Sequence, residues 1–66
     1  MPYVNVRMVA GRTQEQKDEI LQGVTDVISK ALSKNPEATY VVIDEVPAEN
    51  WGIGGKSIAE RKKTES

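Results

Sequence analysis

The chain has no cysteine and no histidine. Without cysteine there is no disulfide and no thiolate nucleophile. Without histidine there is no imidazole base and none of the commonest zinc ligands. A general base working near neutral pH must then be a carboxylate, a lysine or the α-amino group. An excess of charge of one sign is missing too. Nine basic residues balance ten acidic ones to a net charge of −1, so there is no electrostatic footprint for nucleic acid. No apolar run approaches the ~20 residues that cross a membrane. "MPYVNVRM" lacks the charged segment and apolar core of a secretory signal. A soluble cytoplasmic protein is the expectation. The one basic run, Arg61-Lys62-Lys63, reads as part of a solvated tail.

At 66 residues the chain makes one small domain whose own core is marginal. Pro2 to Val9 alternates: Val4, Val6 and Met8 fall on one face, Tyr3, Asn5, Arg7 and Val9 on the other. Ala10-Gly11 breaks this first strand. Thr13 and Gln16 have the spacing of a capping box, and Glu15 and Asp18 suit the positive end of a helix dipole. Ile20, Leu21, Val24, Val27, Ile28, Ala31 and Leu32 follow as an apolar stripe, with Glu19, Gln22, Asp26, Ser29 and Lys30 on the wet side. Gly23 costs such a helix about 1 kcal/mol against alanine. Asn35-Pro36 is expected to stop it. Thr39 to Val46 reads as a second strand, "TYVVIDEV", ended by Pro47. "AENWGIGGK" suits a short hairpin and Ser57 to Lys62 a last helical turn. The domain is expected over residues 1–60, with a mobile tail over 61–66.

The predicted fold is α/β: a short β-α-β subunit whose two strands are parallel, with a right-handed crossover. Such a unit leaves one sheet face and both sheet edges uncovered. Oligomerisation covers them, so an oligomer is expected on physical grounds alone. Pro2 has two readings. It is a strand-edge proline, tolerated where no ladder partner needs its N–H, or it is a working group exposed by removal of Met1.

Three segments bear on the choice: "MP" at the head of a strand, "GRTQEQK" at the strand-to-helix junction and "WGIGGK" after the second strand. Together, at these separations, they resemble the 4-oxalocrotonate tautomerase family, over residues 2 to about 56. The resemblance implies β-α-β subunits assembled as a homohexamer, a trimer of dimers. It implies an isomerase of aromatic catabolism that needs no metal or cofactor and moves a proton between oxygen and carbon in an unsaturated 2-keto acid. It makes Pro2 the general base once Met1 is removed. The free α-amino group has a pKa of ~7.7–8.0, lowered by burial and nearby cations. It makes Arg12 the ligand of a substrate carboxylate, contributed by a neighbouring subunit; the guanidinium fork suits that group. It makes Trp51, where the family usually has phenylalanine, an apolar wall that excludes water. Each has an ordinary alternative: an exposed arginine for Arg12, a minor packing residue for Trp51.

One position departs from the family. Tyr40 stands where well-studied members carry a second arginine; it offers a hydrogen bond and no positive charge. Loss of such a donor costs ~2–4 kcal/mol of transition-state stabilisation. Arg7 is a candidate substitute. The departure favours a monoacid of the phenylenolpyruvate kind over a 2-hydroxymuconate-like diacid. Two other functions stay open: hydration or dehalogenation of a 3-haloacrylate, with Glu49 as the available carboxylate, and a non-catalytic oligomeric module.

Overall fold

The first strand, β1 (Tyr3–Val9), lies beside β2 (Tyr40–Val46) in a parallel pair, in register from Tyr3 opposite Tyr40 to Val9 opposite Val46. Between them runs helix α1 (Gln14–Leu32). A hairpin of β3 (Gly52–Ile53) and β4 (Lys56–Ser57) follows, then helix α2 (Ile58–Glu65). The computed structural model describes residues 2–65. The predicted β-α-β unit with parallel strands is therefore the observed one.

The local reasons match the sequence at several points. Thr13 accepts a hydrogen bond from the Gln16 N–H, and Gln16 Oε1 accepts one from the Thr13 N–H, closing the capping box. Gly54 and Gly55 both have positive φ, 61° and 91°, the backbone of a two-residue turn whose twist matches its strands. The end of α1 differs from expectation. The helix stops at Leu32 with Ser33 in the left-handed region (φ 52°), its N–H bonded back to the carbonyls of Lys30 and Ser29. Asn35 and Pro36 instead start a separate 3₁₀ turn, Pro36–Ala38, in which Asn35 caps the N–H of Glu37. β2 begins at Tyr40, because the Thr39 N–H is already bonded to Pro36 within that turn. α2 starts at Ile58 and continues past Lys62 to Glu65, so the boundary expected between residues 60 and 61 falls inside a helix.

Packing departs further. Ser29, placed on the wet side by its polarity, is the one buried residue among those described, at 8% exposure. Its hydroxyl lies 3.3 Å from that of Thr39, and the small side chain lets α1 approach the start of β2. The far part of the apolar stripe is uncovered: Val27 keeps 65% of its surface and Leu32 53%. Gly23 meets nothing within 4 Å, so no contact in the subunit accounts for it.

No apolar side chain among the described residues is fully buried. The molecule measures 47 × 23 × 14 Å with a radius of gyration of 15.5 Å. A compact chain of this length would have a radius near 11 Å. Its surface is 5091 Å², against about 4,200 Å² for a folded monomer of this mass. On the sheet face away from α1, Tyr3 and Tyr40 stand side by side, 61% and 53% exposed. A slab this thin covers one side of its sheet and leaves the other open.

Candidate active site

The strand direction sorts the candidate residues into two groups. Pro2 sits at the head of β1, half-buried, and its carbonyl accepts a hydrogen bond of 3.0 Å from the Tyr40 N–H. Tyr40 is thus beside Pro2 through the backbone, while its side chain stands on the open sheet face with Tyr3. Met1, whose removal would free the Pro2 nitrogen, lies outside the described residues.

Arg12 is at the opposite end. Two features build the turn that presents it. Gly11 has φ 129°, a conformation other residues adopt only under strain. Glu45, the next-to-last residue of β2, accepts from Lys17 Nζ at 2.7 Å and from the Gly11 backbone. The Lys17 hydrogen bond is the largest cause holding the Glu45 carboxyl below its ordinary value of 4.5. The ion pair ties α1 to β2, and the backbone bond fixes the entry to Arg12.

Trp51 belongs to the Arg12 end as well. β2 finishes beside β1, with the Ala10 N–H bonded to the Val46 carbonyl at 2.8 Å. A 3₁₀ turn, Ala48–Asn50, then leads to Trp51, which is half-buried. Its carbonyl accepts from the Ile58 N–H at 2.8 Å. Ile58 in turn lines a cavity of about 330 Å³ with Arg12, Val9, Ala10, Gly11 and Lys62. Lys62 lies one helical turn beyond Ile58 and comes to the same cavity. It had read as solvated tail; the spacing of four from an apolar residue was the available signal. A second groove, about 430 Å³, lies on the other side of Arg12 and is lined by Met8, Gln16, Glu19 and Ile20.

β1 has seven residues. At ~3.3 Å per residue, roughly 25 Å separates Pro2 from Arg12 within one subunit. The structure therefore brings Arg12, Trp51 and Lys62 toward one end and Pro2 with Tyr40 toward the other. It does not join the two groups.

Arg7, the candidate second cation, is engaged elsewhere. It lies 3.4 Å from Asp44 on the open sheet face, where Asn5 also donates to Asp44 at 2.9 Å. The Asn5 hydrogen bond, then the Arg7 one, holds the Asp44 carboxyl below its ordinary 3.8. Glu49 is exposed on the 3₁₀ turn before Trp51. Among the described residues no three acidic side chains converge as a metal site would require, and no helix is long and apolar enough to cross a membrane.

Comparison with known proteins matches the chain to a family. The family model described as "Tautomerase enzyme" covers residues 2–61, from the proline to α2. The chain belongs to the tautomerase family. It is 49% identical over its whole length to "Probable tautomerase K2" of Dickeya dadantii (strain 3937), covering all of that protein. It superposes with a TM-score of 0.92 on TomN, a 4-oxalocrotonate tautomerase homologue in the tomaymycin biosynthetic pathway. That match has 31% identity and covers 98% of this chain and 100% of TomN. A heterohexameric 4-oxalocrotonate tautomerase from Chloroflexus aurantiacus J-10-fl gives a TM-score of 0.85 at 32% identity, with 91% and 97% coverage. The tautomerase resemblance drawn from three short segments thus extends over nearly the whole chain.

Proposed function

We propose that this tautomerase family member is a cofactor-independent keto–enol isomerase of an unsaturated 2-keto acid, built as an oligomer in which Pro2 of one subunit works with Arg12 and Trp51 of another. The observation that carries the reading is the separation of Pro2 and Arg12 along β1, together with the free edge of that strand. β1 is hydrogen-bonded on one side only, to β2. Antiparallel pairing of two β1 edges about a two-fold near Val6 sets the Pro2 end of each against the Ala10–Arg12 end of the other. That pairing satisfies the open backbone edge and completes the constellation at both ends. The thin shape and exposed apolar stripe support assembly, and the hexamer is the state proposed by likeness to the Chloroflexus aurantiacus protein.

The chemistry needs one base and one anchor. With Met1 removed, the Pro2 nitrogen is a secondary amine, and the cation of Arg12 beside it favours its neutral form. It takes the proton of the enol hydroxyl. The O–H pair becomes the carbonyl π bond, the carbon–carbon double bond shifts, and the prolinium returns the proton to carbon. Arg12 holds the substrate carboxylate through both steps. Trp51 excludes water, which keeps the amine neutral and strengthens the ion pair. Tyr40, beside Pro2 through the backbone, supplies the hydroxyl that donates a hydrogen bond to the developing oxyanion.

A panel of acids tests the reading: the enols phenylenolpyruvate and 2-hydroxymuconate, and the haloacid 3-chloroacrylate, assayed with wild type and Pro2→Ala. Ketonisation of an enol that falls in Pro2→Ala supports it. Halide release without enol turnover, or no turnover of any of the three, contradicts it.

A further inference from the structure

The open face of the sheet carries one polar cluster that the proton transfer does not use. Asp44 accepts from Asn5 Nδ2 at 2.9 Å and from Arg7 at 3.4 Å. Arg7 stands opposite Asp44 in the strand register, and Asn5 lies two residues back on β1. An ionised carboxylate only accepts, so the Asn5 amide turns its Nδ2 toward Asp44 and keeps its Oδ1 for another donor. The cluster borders an unpaired edge, since β1 is bonded to β2 on one side only. Antiparallel pairing of two β1 edges about a two-fold at Val6 sets Asn5 of each copy opposite Arg7 of the other, on the same face. Side chains directly opposite have Cβ atoms ~4.5–5.5 Å apart. The Asn5 oxygen then meets a guanidinium whose five N–H donors Asp44 does not exhaust. The two-fold makes this contact twice. Other registers lose it. A two-residue slip one way sets Arg7 against Arg7, like charges face to face; the other way sets Asn5 against Asn5 and Arg7 against Tyr3. A one-residue slip throws the two helices onto opposite faces of the joined sheet.

We propose that Asn5, Arg7 and Asp44 form a self-recognition code on the β1 edge, selecting a second copy of this chain in the Val6-centred register over other registers and over chains with a different residue pair. Asp44 orients both readers: it holds the guanidinium by charge and fixes the amide by accepting from it. Arg7 and Asn5 then read the second copy. Each contact is worth little alone at an exposed edge. The code acts through the difference between matched and mismatched pairs. The register also serves the site, because a two-residue slip carries Pro2 about 7 Å from its place against Arg12 of the second copy. The inference rests on the β1–β1 pairing proposed above and not on the proton chemistry.

Two single exchanges test it, because they break the code in complementary ways. Both positions are exposed, so the substitutions leave the subunit fold intact. Asn5→Arg sets arginine opposite arginine at both contacts of a like pair. It should raise the dissociation constant of the assembly roughly 2- to 30-fold in sedimentation. Arg7→Asn leaves asparagine opposite asparagine. An Asn5→Arg chain paired with an Arg7→Asn chain has arginine opposite asparagine at both contacts again. Native mass spectrometry of the two variants, co-expressed, should show assemblies holding both in equal numbers above the share that random mixing gives. A chain carrying both substitutions should assemble as wild type does, since the exchange only swaps the two readers. Random mixing or self-sorting of the single variants overturns the proposal. So does an Asn5→Arg chain that sediments as wild type, or a double variant that assembles no better than Asn5→Arg. Wild type running as a monomer overturns both the code and the pairing it rests on. Equal-number pairing without enol turnover by wild type leaves the code standing and removes the isomerase reading. Random mixing with enol turnover by wild type removes the code and leaves that reading in place.

Discussion

Val27→Asp separates an assembly from a working monomer. Val27 belongs to the apolar stripe of α1 with Ile20 and Val24, and 65% of its surface is exposed in the single subunit. If the subunit acts alone, a substitution at so wet a position shifts stability by no more than ~0.5 kcal/mol. If another copy covers the stripe, that exposed fraction is buried on assembly. Scaling the ~1.5–3 kcal/mol of a fully buried valine by it gives roughly 1–2 kcal/mol lost per subunit. A carboxylate placed there adds the cost of removing a charge from water. The loss repeats in every subunit, so the assembly should dissociate at concentrations where wild type holds together. Sedimentation velocity at micromolar concentration reads this directly. Wild type should run well above its 7.3 kDa subunit mass, and Val27→Asp should shift toward the subunit. A variant that sediments and melts as wild type does would refute burial of this stripe. Wild type running only as a monomer would refute the assembly.

Arg12→Ala should raise KM more than it lowers kcat, because it removes binding present before and during the proton transfer. A charge-assisted contact of ~1.5–3 kcal/mol corresponds to a roughly 10- to 150-fold increase, read by steady-state kinetics on one enol acid. Thr13→Ala removes the cap of α1 and should cost about 1 kcal/mol in urea denaturation, through loss of the bond to the Gln16 N–H. Asp44 and Glu45 have carboxyls held below their ordinary 3.8 and 4.5, so their stabilising contribution is complete above those values and fades as pH falls below them. Both groups are exposed to solvent, so that acid limb should flatten in high salt and in Asp44→Asn with Glu45→Gln, measured as melting temperature from pH 6 to 3.

Local patterns were legible where one residue's neighbours in sequence decide its structure. The alternation in Tyr3–Val9, the capping box at Thr13 and Gln16 and the paired glycines Gly54-Gly55 are of this kind. Ser29 was not, because its polarity points outward while its partner Thr39 arrives only after the chain turns back. Nor was the end of α1: a serine in the left-handed conformation gives no composition signal, whereas Asn35-Pro36 does. At the proposed site, Pro2, Arg12 and Trp51 are assigned by the family pattern. Their separation follows from topology instead, since parallel strands put the start of β1 and the end of β2 at opposite ends of the sheet. Lys62 escaped notice because its place beside Arg12 depends on the hairpin carrying α2 back to the β1 end.

The most direct test of the account is the rate of enol ketonisation by chains that differ only ahead of Pro2. One begins at Pro2, verified by intact mass, and the other carries a single extra residue that turns the proline nitrogen into an amide. Both should assemble alike, since one added residue leaves β1 and its edge unchanged. The account predicts that the chain beginning at Pro2 turns over the enol acid and that the blocked chain loses at least about 100-fold in kcat/KM, the share of a positioned general base. Equal kcat/KM for the two chains would contradict it.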